Sequence, residues 1–162
     1  MAERGHRVYA TQTVRISKTI EAPLRYVYDW CTDYRSDDAS LHPRRPGLRF
    51  RVVRLSPRRL VRIRLAPRPT SPDPLVAVDL VRLQPPNAWH TDQIDEEDRE
   101  SVDYRLTSLG PSRTRIELLI TERWVVPDHQ SAAGVRERAN AAWDRYKAFI
   151  EDRYRGGRPA KG

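Results

Sequence analysis

Three side chains in the second half of the chain have the types that acid–base chemistry uses. In Trp89-His90-Thr91-Asp92-Gln93, period-two alternation puts His90 and Asp92 on one strand face and Trp89, Thr91 and Gln93 on the other. An aspartate two residues from a histidine can hold the imidazole tautomer and leave the ring titrating near neutrality. No serine or cysteine is spaced to complete a nucleophilic arrangement, so a hydrogen-bonded structural histidine is the competing reading. Tyr104 lies on the same side of its strand as Val102 and Leu106. Its hydroxyl is the first choice for a donor to a ligand carbonyl or phenolate inside a pocket. His90, Asp92 and Tyr104 are therefore the candidate catalytic groups.

Metal and cofactor chemistry find little support. His6, His42, His90 and His129 show no close ligand spacing, and the lone Cys31 excludes an intrachain disulfide and a cysteine metal site. It reads as a small buried group on the first helix. The acidic runs Asp37–Asp38 and Asp95–Asp98 suit solvated turns better than a calcium loop. There is no glycine-rich phosphate loop and no dinucleotide fingerprint, so no cofactor is expected. The net charge of +8 invites a nucleic-acid reading. Its pattern argues against one: Lys18, Lys147 and Lys161 are the only lysines, and the arginines are spread along the chain among Asp and Glu.

The elements that must position these residues follow from periodicity. Val14, Ile16 and Ile20 share one side of a strand over about residues 8–20, with Lys18 interrupting that side as a bulge or a pocket-mouth position. Pro23 opens a helix whose apolar face is Leu24, Val27, Tyr28 and Cys31. Thr32 or Asp33 can cap a second short helix over roughly 33–41, which Pro43 and Pro46–Gly47 end. Leu48, Phe50 and Val52 then alternate with Arg49 and Arg51, and Val61, Ile63 and Leu65 with Arg62 and Arg64. This predicts a hairpin with one apolar and one arginine face. Residues 66–74 carry four prolines and read as a loop. Strands follow at about 75–84, 88–95 and 102–107. The last strand has Ile116, Leu118, Ile120 and Trp124 on one side. From Ser131 to Tyr154 the period returns to 3.6, with Val135, Ala139, Ala142, Trp143, Tyr146, Phe149 and Ile150 as the apolar stripe.

An antiparallel sheet needs one face covered, and the long C-terminal helix is the available cover. The predicted fold is α+β: a curved seven-stranded antiparallel sheet, two short helices after the first strand, and a long helix over the sheet. Residues 1–7 are expected to be a flexible N-terminus, 8–154 the domain, and 155–162 a disordered basic tail.

The strand VRISKTI, the Glu21–Ala22–Pro23 corner, helix Leu24–Cys31 and Thr32–Asp33–Tyr34 together resemble the START-like superfamily. This superfamily is also called SRPBCC, Bet v 1-like or helix-grip. Tyr104–Arg105–Leu106, the Gly110 turn and Thr114–Arg115–Ile116 before the last helix match it too. The likeness covers about residues 8–154 and is strongest to the polyketide cyclase/dehydrase and lipid-transport branch. It implies a cavity between sheet and helix that binds or transports a small hydrophobic or lipid-like molecule. The alternative it implies is a polyketide cyclase or dehydratase acting on an aromatic or polyketide substrate. It carries no invariant catalytic residue onto this chain.

Such a cavity would be lined by Phe50, Val52, Ile63, Val78, Trp89, Tyr104, Leu118, Trp124, Trp143 and Tyr146, with plain core packing as the competing role. Arg49, Arg51, Arg62 and Arg64 are expected to project together on the far side as a positive patch. That patch would suit an anionic membrane surface or an acidic partner, or serve solubility alone. A monomer or homodimer is expected. No apolar run is long enough to cross a bilayer and no secretory signal pattern opens the chain, so the cytoplasm is the expected compartment.

Overall fold

The computed structural model describes residues 9–42, 46–68, 70–95, 98–125 and 131–160. The expected flexible N-terminus, His129 and Pro43 lie outside these residues. Strand β1 (Tyr9–Ile20) is followed by helix α1 (Leu24–Thr32) and a 3-10 helix (Ser36–Leu41). Six strands come next: β2 (Arg49–Ser56), β3 (Arg59–Arg68), β4 (Ser71–Gln84), β5 (Ala88–Ile94), β6 (Arg99–Gly110) and β7 (Arg113–Val125). Helix α2 (Ala132–Arg155) ends the fold. The strands form one antiparallel sheet in the order β1-β7-β6-β5-β4-β3-β2, so β1 and β2 are its edges. This is the helix-grip architecture.

The inner face of the sheet is set by β1 and β7. Val14, Ile16 and Ile20 lie across from Ile120, Leu118 and Thr114, and all six are nearly inaccessible to solvent. Val135, Trp143 and Ile150 of α2 close over them, and Val27, Tyr28 and Trp30 of α1 complete the core. Each fully buried aliphatic side chain here contributes about 1.5–3 kcal/mol. The β1–α1 corner is tied from both sides. Thr114 Oγ1 donates to Ala22 O at 2.8 Å, and Glu21 N donates to the Glu151 carboxylate of α2 at 2.8 Å. Ser131 caps α2 by accepting from Gly134 N at 3.1 Å.

Several expectations need correction. β1 pairs with β7 without a register break, so Lys18 makes no bulge; it reaches α2 and pairs with Asp144 at 2.6 Å. In α1 the buried aromatic is Trp30 as well as Tyr28, while Cys31 is half-buried. The second helix starts at Ser36, and Asp38 accepts from Arg35 N in its first turn. Residues 66–74 are not all loop: β3 and β4 stay paired to Arg68↔Ser71 across a register shift. β5 pairs with β4 only from Val78 onward. The earlier part of β4 thus has one free edge, which tolerates Pro72 and Pro74. Phe149 is exposed at the margin of the α2 stripe. The tail is ordered through Ala160: Arg158 N bonds Arg153 O, Gly157 turns at φ 64°, and Tyr26 donates to Arg158 O at 2.8 Å.

Candidate functional site

The inner face of the sheet changes character between β7 and β3. In the antiparallel ladders Phe50 faces Arg64, Val52 faces Arg62, and Arg62 faces Asp79. Directly opposed residues share a face. Leu60 and Val81 on that face are buried in the core, so Arg62, Arg64 and Asp79 point inward with them. Their neighbours Ile63 and Val78, opposed to each other, point outward. Two of the ten residues expected to line the interior, Ile63 and Val78, are therefore on the outer face. The expected patch of four arginines is split, with Arg49 and Arg51 outside and Arg62 and Arg64 inside. The physical reason is Asp79, which is wholly buried and receives Arg62 Nε at 2.7 Å and Arg64 Nη2 at 3.2 Å. A buried carboxylate with two guanidinium partners outweighs the pull of two aliphatic side chains toward the core.

Arg62 is held further by aromatic rings. Its guanidinium lies 5.0 Å from the Tyr34 ring and 4.8 Å from the Phe50 ring. Burial works against its charge, but Asp79, aided by Tyr34, raises its pKa above the ordinary arginine value. Tyr34 itself is pushed up to about 12 by burial, with Arg62 and a 3.5 Å contact to Thr91 opposing the rise.

Beside this pair the remaining inward aromatics cross the gap between sheet and α2. Trp89 stacks on Tyr104, with centroids 4.5 Å apart and planes at 8°. Tyr104 meets Trp143 of α2, Trp143 meets Tyr146, and Tyr146 meets Trp30 and His42. Tyr104 makes ring contacts but no hydrogen bond among the described residues. Burial, with Tyr34 and Glu100 nearby, raises its phenol pKa well above the usual value, so it stays a proton donor. Leu118 lies under Tyr104 in the ladder, Trp124 is buried at the far end of β7, and Val52 is partly buried against the core.

A second inward polar group was not anticipated. Glu100 of β6 and Glu122 of β7 are opposed on the inner face, and Arg138 of α2 pairs with both. Burial and the hydrogen bond with Glu122 push Glu100 up to about 7. Arg64 also lies within electrostatic reach of Glu100. The signal was available in the sequence: Glu100 has the parity of Val102 and Tyr104, and Glu122 that of Ile120 and Trp124.

His90 and Asp92 sit on the opposite, outer face. His90 Nδ1 is 2.6 Å from Asp103 Oδ1, and its Nε2 is 2.9 Å from Asp92 Oδ1. Ser101 and Arg82 also bond Asp92. Burial opposes the imidazolium, yet the bonds to Asp103 and Asp92 raise its pKa. The structure does not bring this pair together with Tyr104's side chain. Nearby, a half-open depression of about 360 Å³ is bordered by the outer-face residues Arg15, Asp103, Arg105 and Glu117 and also by Trp89, Tyr104 and Leu118. Its lining mixes charged with apolar residues. Among the described residues no cluster of three or more His, Cys, Asp or Glu side chains could hold a metal ion.

No protein-family model and no curated protein matches the chain. Solved structures match it along most of its length. Zhui aromatase/cyclase from Streptomyces sp. R1128 is 16% identical, with 90% of this chain and 96% of that chain covered and a TM-score of 0.66. A START superfamily protein from Mycobacterium smegmatis is 13% identical, covering 87% and 95%, at 0.59. Norcoclaurine synthase from Thalictrum flavum, in complex with dopamine and hydroxybenzaldehyde, is 9% identical, covering 89% and 88%, also at 0.59. At these identities the likeness establishes the fold.

Proposed function

We propose that the chain binds a small, planar, largely aromatic molecule bearing several oxygen atoms between the sheet and α2. The observation that carries this reading is Arg62, fixed inward by buried Asp79 and flanked by the rings of Tyr34 and Phe50. A carrier of simple acyl chains gains nothing from a guanidinium there, since desolvating it costs several kcal/mol. An oxygenated aromatic ligand uses it twice, as a hydrogen-bond fork and as a cation above a ring. Tyr104 supplies a further donor beside the Trp89 ring, and Thr91 and Tyr34 supply more. The neighbours of this fold named above include a protein described as an aromatase/cyclase and one in complex with two aromatic molecules, which supports the same ligand class.

Quenching of the intrinsic tryptophan fluorescence tests this, because Trp89 and Trp143 flank Tyr104. Titration with a trihydroxyflavone should give saturable quenching, oleate should bind at least about tenfold more weakly, and Arg62→Gln should remove the preference. Equal affinity for both probes in the wild type would contradict the reading.

A second reading, an enzyme of the cyclase/dehydratase type, is favoured by one observation. Glu100 exchanges its proton near neutral pH within electrostatic reach of Tyr104. In that reading Glu100 takes a proton from a carbon next to a substrate carbonyl, and that carbon forms a C–C bond to a second carbonyl hydrogen-bonded by Tyr104. The proton held by Glu100 is returned to the resulting alkoxide to give the alcohol, and the aromatic walls hold one folded conformer.

A further inference from the structure

The interior leaves unused a pattern on the outer face of β2, β3 and β4. There Val53, Ile63, Val76, Val78 and Leu80 lie side by side across three paired strands. Val53, Val76 and Leu80 each keep about two-fifths of their surface in contact with solvent, at 41%, 40% and 41%. Leu55, next to the tip of the β2–β3 hairpin, is 63% exposed. A contiguous aliphatic surface of this kind on a sheet marks something that covers it.

The charges around it narrow what that is. Arg49 and Arg51 of β2, Arg59 of β3 and Arg82 of β4 share this face, with Arg59 and Arg82 directly opposed. Of the carboxylates on the three strands, Asp79 is buried on the inner face and Asp73 is exposed within the register shift at the start of β4. Asp92 of β5 is held by Arg82, His90 and Ser101. Arg49, Arg51 and Arg59 have no ion pair among the described residues. A second copy of the chain would bring the arginines of this face against one another, with Asp73 the one exposed carboxylate on the three strands to answer them. A folded protein partner fits poorly too, because interface cores favour aromatic and methionine side chains and this face has none. Aliphatic side chains ringed by long cationic ones match lipid instead. The arginine stems lie along apolar surface while their guanidinium groups reach headgroup phosphates.

We propose that this face docks on an anionic phospholipid surface, with Leu55 and the β4 aliphatics at headgroup depth and Arg49, Arg51 and Arg59 on lipid phosphates. The docking is independent of what the interior holds, and it places the hairpin beside Arg62 and Phe50 against the bilayer.

Co-sedimentation with vesicles tests it, using phosphatidylcholine alone and equal parts phosphatidylcholine and phosphatidylglycerol. The wild type should sediment with the mixed vesicles, less so as salt rises, and stay in solution with the neutral ones. Arg49→Glu with Arg51→Glu, and separately Leu55→Asp with Leu80→Asp, should each lower the bound fraction about tenfold or more. Arg15→Glu with Arg105→Glu, on the outer face of β1 and β6, should leave it unchanged. All four sites of the test pairs are exposed, so circular dichroism should show native folding in both. Failure of the wild type to sediment with mixed vesicles, or equal sedimentation with neutral ones, would overturn the proposal. So would undiminished binding by both folded test pairs.

Discussion

The two halves of the sheet follow opposite rules. On β1, β6 and β7 the inner face is mostly aliphatic, with Val14, Ile16, Val102, Leu106, Ile116 and Leu118 buried, while the outer face is polar. On β3 and β4 the inner face holds the ion group Arg62–Asp79–Arg64, while the outer face is largely Val, Ile and Leu. The first half supplies a conventional core under α2. The second keeps charge inside and apolar surface outside, which costs stability unless each is used. The proposed interior site and the proposed lipid-docking face are two sides of that one reversal.

The largest effect should come from removing the group that enforces it. Asp79→Ala leaves two guanidinium groups in the interior without their shared carboxylate and should cost about 3–5 kcal/mol, measured by urea unfolding. A loss under about 1 kcal/mol would mean that the arginines swing to solvent and the reversal is weak. Next comes a pair of aliphatic truncations, one in each half. Ile116→Ala should cost about 3 kcal/mol and Ile63→Ala less than about 1 kcal/mol. Equal losses would place both residues in the core.

Periodicity alone disclosed the element order, the strand-to-helix corner at Pro23 and the cover provided by α2, because those features rest on local spacing. It misplaced the sides of β3 and β4 because Val61-Arg62-Ile63-Arg64-Leu65 alternates equally well in either orientation. What decides the orientation is Asp79, 17 residues beyond Arg62 and brought opposite it only by the hairpin. Taking the aliphatic side as the inner one sent Ile63 and Val78 to the interior and Arg62 and Arg64 to the surface. The aromatic residues were more legible, since Trp89, Tyr104 and Trp143 are large and fall on the core parity of their elements. Glu100 and Glu122 fell on the same parity but were passed over as charges. His90 and Asp92 did form a close pair, but strand parity could not show that their face is the one turned away from α2.

Smaller effects separate the two faces by pH. Glu100 has a folded pKa raised from 4.5 to about 7, so the folded state binds the extra proton in that window. Stability is then greatest below about 4.5 and falls as pH rises through 7. Glu100→Gln should flatten that decline. His90, also raised above its ordinary 6.5, stabilises fully below that value and loses its contribution as pH rises through the raised pKa. His90→Asn should therefore remove a separate decline that begins above about 6.5. A pH profile unchanged by either substitution would break the assignment of these groups. The smallest effect belongs to Lys18–Asp144, whose aspartate is largely exposed. Lys18→Met should change stability by less than about 1 kcal/mol.

The reversal of faces, and the ligand site proposed from it, is tested most directly by nuclear Overhauser contacts from a bound trihydroxyflavone in an isotope-labelled sample. The account predicts contacts from the probe to the rings of Tyr34, Trp89 and Tyr104 and to the Arg62 side chain, and none to the methyl groups of Ile63 or Val78. Contacts to Ile63 and Val78, with none to Arg62, would contradict it.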